Sequence, residues 1–265
     1  MAKLQLPTWI RESVLTSAKL GELYVDLEYL PEYLFKQCTH VVNRTGDEQF
    51  EVSLHGSFSL LRFGSRPLAF ATSHQTDDLE YRDVAIVLPE NRVYVTSNQF
   101  LAFRHRLAPE QDADQVRAFN FSGAVYQHPK MLRDFFDARK SIDDDELSQA
   151  AFFCAFGCVD EDQDIHVRDE FPFGYQELKL RVSALTCEFD GSTPDDSVFR
   201  LRIVGRQPAS LNGASGGPVF AILERGSFSE VLFAGMIVRG GNEFLYIISA
   251  QTIRDFVEFH DRREK

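Results

Sequence analysis

Short apolar runs separated by turn residues fill the chain from His55 onward. "GSFSLLRFG" and "RPLAFATSHQ" predict two strands joined at Gly64-Ser65-Arg66-Pro67. "DVAIVLP" and "RVYVTSN" predict two more, joined at Glu90-Asn91, and "VRAFNFSGAV" a fifth. Strands this short, with turn residues between them, are the pattern of a β-barrel or sandwich half. Over residues 127–150 a polar stretch, "QHPKMLRDFFDARKSIDDDELSQA", interrupts the strands and predicts a helical insertion whose "DDDE" run is a solvated helix start or connection. Strands resume at "AFFCAFGCV" and continue through "LKLRVSALTCEF", "VFRLRIVG", "GPVFAIL", "EVLFAGMIV" and "EFLYIISA", enough for a second barrel. Residues 8–40 differ: helical spacing is broken at Pro31, and "EYLPEYLFKQ" reads as helix or packed arm. At the other end, "SAQTIRDFVEFHDRREK" offers Ser249 as an N-cap, Ile253, Phe256 and Val257 as an apolar face, and basic residues in the last turn, so a closing helix is predicted.

The domain organisation expected is therefore an N-terminal arm (1–45), a first β-barrel (46–126), a helical insertion or linker (127–150), and a second β-barrel with its C-terminal helix (151–265). Internal repeats and low-complexity tracts are absent from the sequence. The 265 residues are 44% apolar and include 24 phenylalanines, enough for a large aromatic core. A net charge of −12 argues against a nucleic-acid or anionic-membrane surface, which would require clustered Lys and Arg. The start, "MAKLQLPTWIRESV", has no apolar h-region, and no stretch approaches 18 uncharged apolar residues, so a cytoplasmic protein is expected. Four cysteines, Cys38, Cys154, Cys158 and Cys187, are then expected as buried free thiols. Cys154 and Cys158 lack a nearby Cys/His pair to complete a zinc site, so neither a metal nor another cofactor is assigned.

Chemistry enters at "PASLNGASGGPVFAI", residues 208–222. A serine hydroxyl is a weak nucleophile; an enzyme that uses one must expose it, supply a base, and aim backbone N–H groups at the developing oxyanion. Gly213 could set its N–H beside that of Ser215, while Gly216 and Gly217 leave room for a substrate carbonyl. A plain glycine-rich hairpin is the competing reading. Among the seven histidines, His74 stands out because it closes the apolar strand "LAFATSH", where a strand end passes into a loop.

"GASGGPVF" resembles the nucleophile motif of the trypsin-like (chymotrypsin-fold) serine peptidases, and "FATSH" resembles their strand-ending histidine segment. "FAGMIVRGG" is similar to the family's groove-lining strand, and "YIISAQTIRDFV" to its last strand and C-terminal helix. Together these cover roughly residues 50–258 in the order His, acid, Ser. The resemblance implies an all-β fold of two six-stranded antiparallel barrels, with the site in the crevice between them. It implies Ser215 as nucleophile, His74 as general base and then acid, and the N–H groups of Gly213 and Ser215 as oxyanion hole. A protein or peptide would be the substrate.

The acid remains open between two places. Asp83, in "RDVAIVLP", matches the family's D-x-A signature best but lies only nine residues after His74. The family places two strands between histidine and acid, which need on the order of 20 residues. Asp112 and Asp114 precede "VRAFNF" and leave room for two strands; Asp114 is preferred, with Asp83 the alternative. Ala214 stands where digestive relatives carry the aspartate that captures a new N-terminus, so that activation route is not expected, and an intracellular or bacterial type of relative fits better. Ala209, at the implied base of the primary pocket, gives no carboxylate for Arg or Lys. Val238, Arg239 and Gly240 would pair with an extended substrate, Arg239 favouring acidic or polar residues or serving as a surface ion pair. The 127–150 insertion and the N-terminal arm are places for a regulatory protein partner. The alternative function is an inactive trypsin-like fold used as a binding or scaffold module. An α/β-hydrolase is disfavoured, because a strand follows Ser215 where that fold requires a helix.

Overall fold

The computed structural model describes residues 17–20, 23–47, 51–88, 93–102, 115–160, 163–168, 175–205, 210–226, 228–241 and 243–263. The described chain opens with strands β1 (Ser17–Leu20) and β2 (Leu23–Asp26) and a short helix α1 (Leu30–Leu34), extended by a 3₁₀ turn to Gln37. The first sheet comprises β3 (Cys38–Arg44), β4 (Val52–Phe63), β5 (Arg66–Thr72), β6 (Val84–Leu88), β7 (Val93–Thr96), β8 (Gln99–Ala102) and β9 (Val116–Asn120), with the single turn of helix α2 (Ser73–Thr76) after β5. Helix α3 (Ser122–Gln127), a two-residue strand β10 (Phe136–Asp137) and two 3₁₀ turns lead into the second half. There, β11 (Phe152–Gly157), a β12–β13 ribbon (Asp164–Arg168, Tyr175–Lys179), β14 (Ser183–Ser192), β15 (Val198–Val204), β16 (Pro218–Arg225), β17 (Phe228–Gly241) and β18 (Phe244–Ser249) precede the closing helix α4 (Ala250–Arg263).

The fold is mainly β. Strands β16-β11-β14-β15-β18-β17 run antiparallel in that order, and β16 pairs again with β17, closing a six-stranded barrel. The first sheet, ordered β7-β6-β3-β4-β5-β9-β8, curls because its two outermost strands are joined through Ser97-Asn98. In the half that carries Ser215 the expected barrel thus forms in full, and the first half is a curled sheet with the same antiparallel pairing.

Alternation along single strands builds three cores. In β11, Phe153 and Ala155 point into the closed barrel, where they meet Leu201, Ile203, Val219, Ala221, Ile237 and Ile247. Phe152, Cys154 and Phe156 point the other way, into a cluster shared with Leu61, Leu68, Phe70 and Ala118 of the first sheet and Ile253 and Phe256 of α4. β5 divides likewise, Leu68 and Phe70 toward the shared cluster and Ala69 and Ala71 toward the first sheet's interior with Phe58, Ile86 and Phe119. Both faces of these strands are buried, so they read as continuous apolar runs instead of strict alternations. Phe220 sits at the centre of the shared layer, its ring 4.9 Å from that of Phe136 and 6.0 Å from those of Phe156 and Phe233. Rigid aromatic packing of this kind sets the two halves against each other across the site.

Three stretches differ from the sequence reading. Residues 17–26 of the arm form strands, with β1 running parallel to β17 and antiparallel to β2, and β3, also inside the arm's range, pairs with β4 and β6 of the first sheet. "VRAFNFSGAV" is a strand only to Asn120, whose Oδ1 accepts from the N–H (2.9 Å) and hydroxyl (2.7 Å) of Ser122 and turns the chain into α3. The insertion is built of 3₁₀ turns around β10, which pairs with β4. Among the described residues no helix is long and apolar enough to cross a membrane. All four cysteines are buried free thiols, as expected.

Candidate functional site

The turn before β16 is held from both sides. Ala214 donates its N–H to Leu211 O (3.1 Å) and Gly217 to Ala214 O (3.0 Å), while Gly216 donates to Ile237 O at 2.7 Å. First-sheet donors take the outward carbonyls. Ser57 N–H reaches Ser215 O (3.1 Å), Ser57 Oγ–H reaches Gly213 O (2.6 Å), and Ser59 Oγ–H reaches Gly216 O (2.7 Å). Gln75 Nε2 adds a second donor to Ser215 O at 2.6 Å. With those carbonyls held by the first sheet, the N–H groups of Gly213 and Ser215 have no acceptor among the described residues. Two glycines make the geometry possible. Gly213 and Gly216 hold φ of +84° and +85°, and a Cβ would lie 2.3 Å from Cys158 O at Gly213 and 2.0 Å from Ser57 O at Gly216.

The partly buried Ser215 lies on a cleft of about 430 Å³ between the two halves, with Leu54, His55, Gly56, His74 and Gln75 on the first-sheet side and Asp160, Gly213, Val238, Arg239 and Gly240 opposite. Ser215 Oγ–H donates to Val238 O at 3.2 Å. That carbonyl is available because the β17–β18 ladder slips between Ile237 and Arg239, leaving Val238 outside the register.

His74 is in α2, whose entry is shaped by a capping box. Gln75 Oε1 accepts from the Thr72 N–H (3.1 Å) and hydroxyl (2.8 Å), and the Thr72 side chain accepts in turn from the Gln75 backbone. The box carries Gln75 across to the Ser215 carbonyl, so a single buried amide joins the histidine's helix to the serine's turn. The His74 imidazole itself is exposed, its Nε2 3.2 Å from Thr72 Oγ1. His74 and Ser215 face the same cleft without a hydrogen bond between them.

Asp83 is not among the residues that line the cleft. Its N–H donates to Glu80 O and its carbonyl accepts from Arg44 N–H, and it directly precedes β6, which pairs with β3 and β7 and not with the histidine's strand β5. Asp112, Asp114 and Ala209 fall outside the described residues. Arg239 holds its guanidinium 4.6 Å over the Tyr246 ring and also lines an adjoining cavity of about 600 Å³ with Glu243 and Phe244. Among the described residues no group of three or more His, Cys, Asp or Glu is placed to hold a metal.

No protein-family model and no curated protein matches the chain.

Three residues that line the cleft, and the buried Ser57 beside it, had no part in the sequence reading. Ser57 and Gln75 fix the turn; Asp160 lines the cleft, its Oδ1 2.4 Å from where a Gly213 Cβ would be. His55 also lines the cleft, bonded through Nε2 to Ser53 Oγ at 2.9 Å, and burial lowers its pKa so that it stays neutral near pH 7. Only Gln75 left a local trace, the Thr72-x-x-Gln75 capping-box spacing. The others act through backbone contacts across more than 100 residues of sequence or through the shape of the cleft.

Proposed function

We propose that the protein is a serine endopeptidase of the trypsin-like type. The observation that carries this reading is the Ser215 turn, with its carbonyls bonded to the first sheet, the N–H groups of Gly213 and Ser215 without acceptors among the described residues, a cleft-facing hydroxyl, and a histidine on the opposite wall. In this reading a substrate carbonyl enters the cleft with its oxygen toward the two N–H groups. A rotation of the His74 side chain replaces the Thr72 contact with one to Ser215 Oγ, and the imidazole accepts the hydroxyl proton as Oγ attacks the carbonyl carbon. The negative charge that forms on the substrate oxygen is met by donors already oriented, so little reorganisation is needed at the moment of reaction. His74 then passes its proton to the leaving amine, and water cleaves the acyl-enzyme by the same steps in reverse order of partners.

The carboxylate that orients His74 is assigned to Asp114. β9 begins at Val116, directly opposite Thr72 on β5, so residue 114 precedes that strand by two positions as His74 follows Thr72 by two. Strand β6, which Asp83 directly precedes, has no such relation to β5. Val238, Arg239 and Gly240 supply an edge for an extended peptide, and the Arg239 cation favours acidic or polar side chains.

A second reading is a binding module that keeps the fold without catalysis, and the absence of a His74–Ser215 hydrogen bond favours it. A fluorophosphonate, read by intact-protein mass on wild type and Ser215→Ala, separates the two. One adduct on wild type alone supports the peptidase; no adduct on either supports the binding module.

A further inference from the structure

Behind the Ser215 turn, the two halves of the protein meet through sulfur. Cys38 opens β3 in the first sheet, and Cys158 follows β11 in the closed barrel; their Sγ atoms are 4.0 Å apart and both side chains are buried. The Cys158 N–H donates to Ser57 Oγ at 2.8 Å, and His40, two residues after Cys38 on β3, lies near enough for its charge to act on the Cys158 thiol. The imidazole is oriented by an amide whose own direction is settled. Gln163 Nε2 donates to Val159 O (2.8 Å) and Arg181 O (2.9 Å), and its Oε1 accepts from Arg181 N–H (2.8 Å) and meets His40 Nε2 at 2.9 Å. Oε1 can only accept, so His40 Nε2 carries the proton and the other ring nitrogen is left as a base. A thiol, a base that can take its proton and a second thiol within 4.0 Å form an arrangement that the proposed hydrolysis does not use.

We propose that Cys158 and Cys38 form a peroxide-responsive site, at which Cys158 is oxidised and Cys38 resolves it into a reversible disulfide across the two halves. The Cys158 proton moves to His40. The thiolate sulfur attacks one peroxide oxygen, an S–O bond forms as the O–O bond breaks, and the departing hydroxide takes the proton from His40 and leaves as water. The Cys38 sulfur then attacks the Cys158 sulfenic acid; the S–S bond forms, the S–O bond breaks, and the hydroxyl leaves with the Cys38 proton as a second water. Two thiols and one hydrogen peroxide give one disulfide and two waters. Closing the sulfurs from 4.0 Å to a bond of about 2 Å needs a modest shift of the segment after β11.

The other two cysteines are an internal control. Burial alone pushes Cys154 up to about 12, and burial followed by the nearby Cys154 raises Cys187 further, so both remain thiols. At Cys158 burial also acts upward, but the hydrogen bond from Cys38, the His40 charge and the bonds to His40 and Ser57 outweigh it and bring the group to about 6. Burial and the Cys158 contact raise Cys38, which suits the resolving partner that keeps its proton until it attacks. Val159 and Asp160 follow Cys158, and Asp160 lines the cleft, which puts the sulfur two residues from a solvent-accessible wall.

The test is independent of the peptidase reading. The full chain is treated with stoichiometric hydrogen peroxide, unfolded in the presence of an alkylating agent, and mapped by peptide mass. The expected result is a loss of about 2 Da in a Cys38–Cys158 linked peptide pair, reversed by dithiothreitol, with Cys154 and Cys187 alkylated as thiols. Cys38→Ala should leave a sulfenic acid on Cys158 that dimedone traps. Unlinked, fully alkylated Cys38 and Cys158 in the wild type, or oxidation of Cys154 and Cys187 to the same extent, overturns the proposal. The wild-type map decides even if the variant fails to fold.

Discussion

The two walls of the cleft are built differently. On the closed-barrel side, Ser215 sits in a turn whose carbonyls are bonded one by one, with glycines where any Cβ would strike a carbonyl. On the first-sheet side, His74 projects from one turn of helix into solvent, its Nε2 bonded to a neighbouring threonine. In the proposed peptidase reading the serine half is preformed, whereas the histidine half leaves His74 facing the same cleft but unbonded to Ser215. Hydrogen bonds of catalytic pairs commonly tighten only when substrate arrives, and on the proposed reading that step would fall to His74 and the chain around it. Gln75, with Ser57 and Ser59, ties the two walls together, and Gln75 alone of the three belongs to the histidine's helix.

The largest effect expected is at the preformed wall. Ser215→Ala should remove all fluorophosphonate labelling and all peptide hydrolysis; an unchanged adduct would place the nucleophile elsewhere and end the comparison. His74→Ala should lower the labelling rate by roughly 10²–10⁴-fold. Because the side chain is exposed, its unfolding midpoint should match wild type, and a large loss of stability would mean that His74 is structural. The acid comes next. Asp114→Asn should slow labelling by up to about 10⁴-fold, since a misoriented imidazole cannot hold the charge it accepts, whereas Asp83→Asn should leave the rate near wild type. The reverse pattern would overturn the strand-order argument.

A pair of variants at Gln75 sharpens the comparison further. Gln75→Ala leaves the Thr72 groups and one Ser215 acceptor site unpaired, with an expected cost of about 1–3 kcal/mol in a denaturant titration. Gln75→Glu keeps the acceptor for Thr72 but loses the donor to Ser215 O. If that amide positions the turn, the Glu variant should retain more stability than the Ala variant while labelling about tenfold more slowly than wild type. Wild-type labelling by Gln75→Glu would show that the link is structural only. The smallest effect is expected at Asp160, whose carboxylate abuts Gly213 where an oxyanion would gather charge. Asp160→Asn should raise the labelling rate by about two- to fivefold at low ionic strength, and added salt should erase the difference.

Much of this architecture was legible along the chain. The apolar runs marked β4–β7, β9, β11 and β14–β18, most plainly where strands buried on both faces, such as β5 and β11, leave an unbroken hydrophobic signature. The Gly64-Ser65 turn and the Ser249-led closing helix carried their own local chemistry. Ser215 and Gly213 were readable for the same reason, since a turn needing positive φ and close backbone approach must be written in glycine. His74 was readable only as a histidine at a strand end. Segments 17–26 and 127–150 were not readable as they are, because β1 becomes a strand by pairing with β17, more than 200 residues away, and β10 by pairing with β4.

The sequence by itself determined two β-rich halves, a helix to close them and a glycine-framed serine that could serve as a nucleophile. Tertiary structure alone decided that β6 pairs with β3 and so carries Asp83 away from the histidine's strand, that Ser57 and Gln75 secure the serine's turn from the opposite half, and that Cys38 meets Cys158. Local conformation is imposed by steric and burial preferences of neighbouring residues, which leave a pattern in the sequence. Contacts between groups more than 100 residues apart depend on which sheets pack together, and a polar side chain that makes one there looks the same in sequence as one that faces water.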